Sequence, residues 1–207
     1  PSPGLADGDT RRRLPIAGAG KRAEPPPGLA DGDTVVFYGD SITHHNHYVA
    51  YLYLFYATRY PESRIRFANA GVGGNRTSSA LPRFRQDVAE AAPTHVAVLF
   101  GMNDGNQRAF DEKTFQAFQK GMTTILDRIA QETAAKALLL TPTYFDASVR
   151  QRHLAPGQSA DPGYNDVLIR FGDELKAMAT ARGCPVIDLN APMEAVDPRT
   201  VQPREPG

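Results

Sequence analysis

Val35-Val36-Phe37-Tyr38-Gly39-Asp40-Ser41-Ile42-Thr43 decides how this chain is read. Four apolar residues in a row suit a short strand buried on both faces. Gly39 and Asp40 break the run, and a long aromatic-rich helical pattern follows over about residues 46–60. A serine at the carboxyl end of a strand, feeding a helix, is well placed to act as a nucleophile. Its hydroxyl stands at the rim of the sheet and its backbone N–H points into the site. The helical pattern carries Tyr48, Tyr51, Tyr53, Phe55, Tyr56 and Tyr60 beside Val49 and Leu52. Apolar groups point in most directions, which predicts a helix buried on more than one side.

The alternation that starts at Thr34 continues along the chain. Strands are expected at 34–38, 65–70, 95–100, 136–141 and 185–189, all short apolar runs. Between them lie helical stripes. Leu81, Phe84, Val88 and Ala91 form one, after Thr77 or Ser78 as a cap and with Pro82 in the first turn. Phe115, Phe118, Met122, Ile125 and Ile129 form the next. Leu168, Phe171, Leu175 and Met178 form another, stopped by Gly183. Five β-α steps predict an α/β fold: a parallel five-stranded sheet with right-handed crossovers in a three-layer α/β/α sandwich. Ligands bind beyond the carboxyl ends of such strands. Two more polar, glycine-rich stretches fall there, Asn69-Ala70-Gly71-Val72-Gly73-Gly74-Asn75 and Gly101-Met102-Asn103-Asp104.

These blocks and the Gly39–Thr43 block, in this order, resemble the SGNH (GDSL-type) esterase and lipase family. The resemblance covers about residues 34–197, including Tyr60-Pro61-Glu62 and Tyr164-Asn165. It implies the flavodoxin-like strand order 2-1-3-4-5 and an ester hydrolase working through an acyl-enzyme, with no metal or cofactor. By resemblance Ser41 is the nucleophile. The Gly74 N–H, the Asn103 side-chain amide and the Ser41 N–H are the oxyanion donors. The residue types suit these roles. Glycine lets backbone approach a substrate closely, and an amide is a neutral donor that can face developing negative charge. The implied partner is a small-molecule ester: a sugar acetate, a lysophospholipid or another small ester. Singly, each block has an ordinary reading. Ser41 suits a helix cap, Gly71–Gly74 any tight turn, and Asn103-Asp104-Gly105 a turn signal. The Gly-x-Ser-x-Gly elbow of α/β-hydrolases is not present. A dinucleotide fingerprint fails because Arg76 stands where its third glycine belongs, and no phosphate-binding Gly-Lys-Ser/Thr loop occurs.

The fourth block of the family, Asp-x-x-His, is not found in residues 1–207. A serine needs a base, and the base an orienting partner. After the fifth strand Asp197-Pro198-Arg199-Thr200 offers an aspartate, but threonine stands where histidine belongs. His95 opens the third strand, at the wrong end of the sheet. His44, His45 and His47 follow Ser41 closely and turn away as the helix winds. They also lack a third partner for a metal site. His153, in the long segment before the last stripe, is the best substitute base. Asp188 suits a cap for the next segment. The expectation is a sequence truncated before its last block. The rival is a fragment or carbohydrate-binding pseudoenzyme with at most a ligand-binding role.

Composition narrows the classes further. Lys plus Arg and Asp plus Glu both number 23, so zero net charge gives no pull toward nucleic acid or an anionic membrane. No apolar run approaches a membrane span. Cys184 is the single cysteine, expected as a buried inert thiol, so no internal disulfide forms. Residues 1 to about 33 read as a disordered Pro/Gly/Arg-rich tail. In it the octapeptide Pro3–Thr10 recurs unchanged as Pro27–Thr34. The domain is expected over 34–207. The chain begins at Pro1, consistent with processing or with a fragment. The compartment stays open: secreted or periplasmic if a signal peptide was removed, otherwise cytoplasmic. The oligomeric state is also open.

Overall fold

A computed structural model of the chain describes residues 28–196. Its centre is a sheet of five strands: β1 (Thr34–Gly39), β2 (Arg66–Gly71), β3 (His95–Leu99), β4 (Lys136–Leu140) and β5 (Val186–Ile187). All pairs are parallel and the order is β2-β1-β3-β4-β5. The expected strands all form, the last shorter than the 185–189 run suggests.

Side chains alternate between faces along a strand, and here the two sets meet different partners. Val36, Tyr38, Val96, Val98 and Leu139 join one core with the long helices α5 (Glu112–Glu132) and α7 (Tyr164–Arg182). Phe118 of α5 stacks on Phe171 of α7, with centroids 4.4 Å apart. Val35, Phe37, Ala97, Leu99 and Leu140 turn to the other face, toward α2 (His47–Arg59) and α8 (Asn190–Ala195). Helices thus lie on both faces, giving the three-layer sandwich. On the α2 side an apolar groove of about 950 Å³ remains, floored by the strands and flanked by Tyr48, Leu52 and Met193.

That groove leaves α2 less covered than its aromatic-rich sequence predicts. The helix over 47–59 is not buried on more than one side: only Val49 is buried within it. Tyr51 is 71% exposed, and Tyr53, Leu54 and Phe55 are exposed as well. Its inner side packs on β1 and β2, where Phe37 meets Tyr48 and Phe67 meets Tyr56. Its remaining apolar side chains face solvent or the groove.

Two other boundaries differ from expectation. The 77–91 stripe is broken into α3 (Thr77–Ala80), a 3₁₀ turn (Leu81–Arg83), α4 (Phe84–Asp87) and a second 3₁₀ turn (Ala89–Ala91). Pro82 removes an N–H from the ladder, which explains the break. Phe84 and Val88 still reach the core. Residues 28–33, assigned to the tail from composition, are part of the folded body. Leu29 packs against the α2-side core, Asp31 pairs with Arg64 at 2.8 Å, and the Asp33 carbonyl accepts the Arg66 N–H. The rest of the tail, and Asp197–Thr200, lie outside the described residues. Cys184 is half-buried against the core, and burial pushes its thiol up.

Candidate active site

Ser41 is the first residue of α1 (Ser41–His44), a single turn directly after β1. Asp40 starts that turn: its Oδ1 accepts the Ile42 N–H at 2.9 Å. The hydrogen bond fixes the path from strand to helix, and with it the backbone of Ser41. Ser41 is half-buried, whereas Asp40 is almost wholly buried. Burial, seconded by the neighbouring Asp104 charge, pushes the Asp40 carboxyl up to about 6 against the pull of the Ile42 N–H.

The second strand end lies beside the first. Gly39 pairs with Gly71 in the ladder. A Cβ on Gly71 would sit 2.2 Å from the His44 nitrogen, so α1 can lie this close only over a glycine. The chain then turns through the exposed Gly74, whose φ of +73° favours glycine. Asn75 follows, its N–H donated to the Val72 carbonyl.

The third strand end closes the constellation. The Asn103 Nδ2 donates to the Asn75 carbonyl at 2.9 Å and to Asp40 Oδ2 at 3.4 Å. It therefore touches the residue after Gly74 and the residue before Ser41. Behind it, buried Asp104 accepts from the Thr77 N–H at 2.9 Å, the Thr77 hydroxyl at 2.7 Å and the Gly101 N–H at 3.1 Å. Burial nevertheless raises its pKa. Tyr164, fully buried at the start of α7, donates its hydroxyl to the Met102 carbonyl at 2.8 Å. The loop carrying Asn103 is thus held from α3 and α7 alike. Sequence reasoning did not assign Asp40 and Asp104 these parts. The aspartate just before a helix start was a legible capping signal. The Asp104–Thr77 contact spans 27 positions and left no local mark.

The histidines are scattered. His44 places Nδ1 3.3 Å from the Gly71 carbonyl, and His45 and His47 border the groove. His95 stands at the amino end of β3, its Nδ1 near the Thr94 hydroxyl and 3.8 Å from Asp33. His153 is exposed just after α6 (Ala147–Gln151). Among the described residues no hydrogen bond joins His153 to Ser41. Asp188 accepts from the Asn190 N–H at 3.0 Å and pairs with Lys176 at 2.9 Å. It caps the following segment, as its position suggests. No group of three or more His, Cys, Asp or Glu able to hold a metal ion occurs among the described residues. Nor is any helix there long and apolar enough to cross a membrane.

Comparison with known proteins assigns the chain to a family. The GDSL-like Lipase/Acylhydrolase family matches residues 37–206. An acetylxylan esterase from Geobacillus stearothermophilus is 31% identical over 149 residues, which are 72% of this chain and 65% of that enzyme. The chain therefore spans less than two thirds of that relative's length. Among solved structures, a gut microbial diltiazem-metabolizing enzyme superposes with a TM-score of 0.72 at 26% identity. The match covers 84% of this chain and 40% of that one. Axe2, an acetylxylan esterase from Geobacillus stearothermophilus, superposes with a TM-score of 0.67 at 22% identity over 81% of each chain, and so shares the fold. With a family match over most of its length, the chain belongs to the GDSL-like lipase/acylhydrolase family.

Proposed function

We propose that the site is that of a serine ester hydrolase acting on a small acyl ester. The observation that carries this reading is the reach of Asn103, whose amide contacts residues adjoining both Ser41 and Gly74. Ser41 Oγ attacks the ester carbonyl, the carbonyl π electrons move to oxygen, and a tetrahedral oxyanion forms. In this reading the N–H groups of Ser41 and Gly74 take up that oxygen, and the Asn103 N–H held only by the long 3.4 Å contact with Asp40 Oδ2 swings onto it. Collapse expels the alcohol, which carries off the proton given up by Ser41, and leaves an acyl-serine that water hydrolyses to the carboxylic acid and free Ser41. Losing one oxyanion donor costs on the order of 2.7–4 kcal/mol. The likeness to an acetylxylan esterase favours an acetyl group on a sugar as the substrate class.

The proton from Ser41 needs an acceptor. Residues 1–207 contain no Asp-x-x-His, and His153 is exposed and unconnected to the serine among the described residues. We therefore propose that this stretch of chain turns over slowly. A serine hydrolase stripped of triad members keeps roughly 10³–10⁴-fold catalysis over water. Hydrolysis of p-nitrophenyl acetate by the wild type, Ser41→Ala and His153→Ala tests this. The expected result is low turnover that Ser41→Ala barely changes. Strong turnover abolished by both substitutions overturns it and makes His153 the base.

A further inference from the structure

We propose that Arg83 is a positioning residue that locks the nucleophile turn and the oxyanion loop into one rigid unit, an inference that rests on the esterase reading above. Its guanidinium lies behind the site, in the 3₁₀ turn after α3, with its side chain only 15% exposed. Nη2 donates to the Gly39 carbonyl at 2.9 Å, two residues before Ser41. Nη1 donates to the Ala70 carbonyl at 2.7 Å, at the end of β2. Nε donates to Asn75 Oδ1 at 2.8 Å, next to Gly74. Asn75 in turn offers its own carbonyl to the Asn103 amide. One planar group thus ties together the ends of β1 and β2 and, through Asn75, the donor from the end of β3.

The pattern is not that of charge neutralisation alone. Asp87, at 2.7 Å from Nη1, already supplies the counter-charge. The other three bonds go to neutral acceptors on three separate segments. A guanidinium has five N–H donors in a fixed fork, so it can satisfy acceptors whose directions are set in advance. A lysine ammonium, a point charge on a flexible stem, cannot reproduce that fork. The plane is also fixed from one side: its carbon sits 4.6 Å from the centre of the Tyr38 ring. Tyr38 is itself fully buried, and its hydroxyl donates to the Ala80 carbonyl. Oxyanion donors act only when they are aimed beforehand, and Arg83 supplies that aim without touching substrate.

The test compares Arg83→Met, Arg83→Lys and Asp87→Asn with the wild type in two measurements. The first is amide hydrogen exchange at residues 39–42 and 71–76, set against β3 and β4. The second is the rate of adduct formation at Ser41 with a fluorophosphonate probe, followed by mass spectrometry over a range of probe concentrations. Both Arg83 variants should exchange roughly tenfold faster in the two named segments, with β3 and β4 unchanged, as expected of local opening. Their limiting rate of Ser41 modification should fall by ~100-fold, the cost of a misplaced constellation, with the half-saturating concentration held. Asp87→Asn keeps the three neutral acceptors and should stay close to wild type in both measurements. Arg83→Lys retains charge and most of the volume, and carries the test if Arg83→Met does not fold. Unchanged exchange at 39–42 and 71–76 overturns the proposal. So does a uniform rise across the core with matching loss of global stability, or an Asp87→Asn variant as impaired as Arg83→Met. Absence of a Ser41 adduct in the wild type counts against the esterase reading instead, and the exchange measurement then decides on Arg83 alone.

Discussion

On one face of the sheet Val36, Tyr38, Val96, Val98 and Leu139 are sealed beneath α5 and α7. On the other, Val35, Phe37, Ala97, Leu99 and Leu140 floor a groove that α2 and α8 only flank. The strands are the same and the residues alternate, so the contrast lies in what covers them. The sealed face carries the packing. The open face leaves Leu52, Ile187 and Met193 in contact with solvent. The rim above both faces, where Ser41, Gly74 and Asn103 stand, depends on neither alone. Its geometry comes from short polar contacts between strand ends. Such a rim can keep its shape while one apolar face stays open.

The largest expected effect is on the sealed face. Phe171→Ala removes a fully buried ring stacked on Phe118 and should cost about 3–5 kcal/mol in urea unfolding. Leu52→Ala, on the wall of the open groove and 38% exposed, should cost under about 1 kcal/mol. Similar costs would break the comparison.

Next in size is a pH effect at the rim. Asp40, pushed up to about 6 mainly by burial, binds its proton more tightly in the folded chain than in the unfolded one. Stability from this group is therefore full below the unfolded value near 4 and falls as pH rises through 6. The loss amounts to about 3 kcal/mol, a single rise from near 4 to about 6 at ~1.4 kcal/mol per tenfold step in proton affinity. Asp104 shifts the same way. The urea midpoint should thus drop between pH 4 and pH 7, and Asp40→Asn should flatten much of that slope. A midpoint that rises across this range in the wild type and not in Asp40→Asn would contradict the assignment.

The open face should also make the chain self-associate, since exposed apolar patches of this kind are sticky. Sedimentation velocity should show concentration-dependent association, reduced by a Leu52→Glu, Ile187→Glu double variant. A monomer at all concentrations would show that the groove is inert. The smallest effect is expected at the amino end. We propose that deleting residues 1–27 leaves the melting temperature unchanged. Deletion through Asp33 also removes Leu29 and the Asp31–Arg64 pair and should lower it by about 2–4 °C. Equal melting temperatures for the two deletions would place the start of the body after Asp33.

Much of this was legible in the sequence, for physical reasons that differ by element. Strands β1, β3 and β4 stand out because strands that turn apolar side chains to both faces of a sheet read as short unbroken apolar runs. Gly74 carries its reason locally, a positive φ, whereas Gly71 is required by α1, which lies against it from 27 positions earlier in the chain. The 47–59 helix misled because an aromatic-rich sequence states hydrophobicity but not whether a neighbour is there to cover it. The break at Pro82 was visible, yet the stripe through Phe84 and Val88 survives it and masks it. Arg83 was not legible as part of the site. Its local signal is the ordinary i,i+4 pair with Asp87, and the three bonds that matter reach 8, 13 and 44 positions away.

We propose Ser41 as a nucleophile served by donors from three strand ends. Its most direct test is to treat the chain with a fluorophosphonate and map the adduct by peptide mass spectrometry. A slow modification confined to Ser41 is predicted, absent in Ser41→Ala and slowed by about 10²–10³ in Asn103→Ala. Modification spread over other serines, or an Asn103→Ala variant as fast as the wild type, would contradict it.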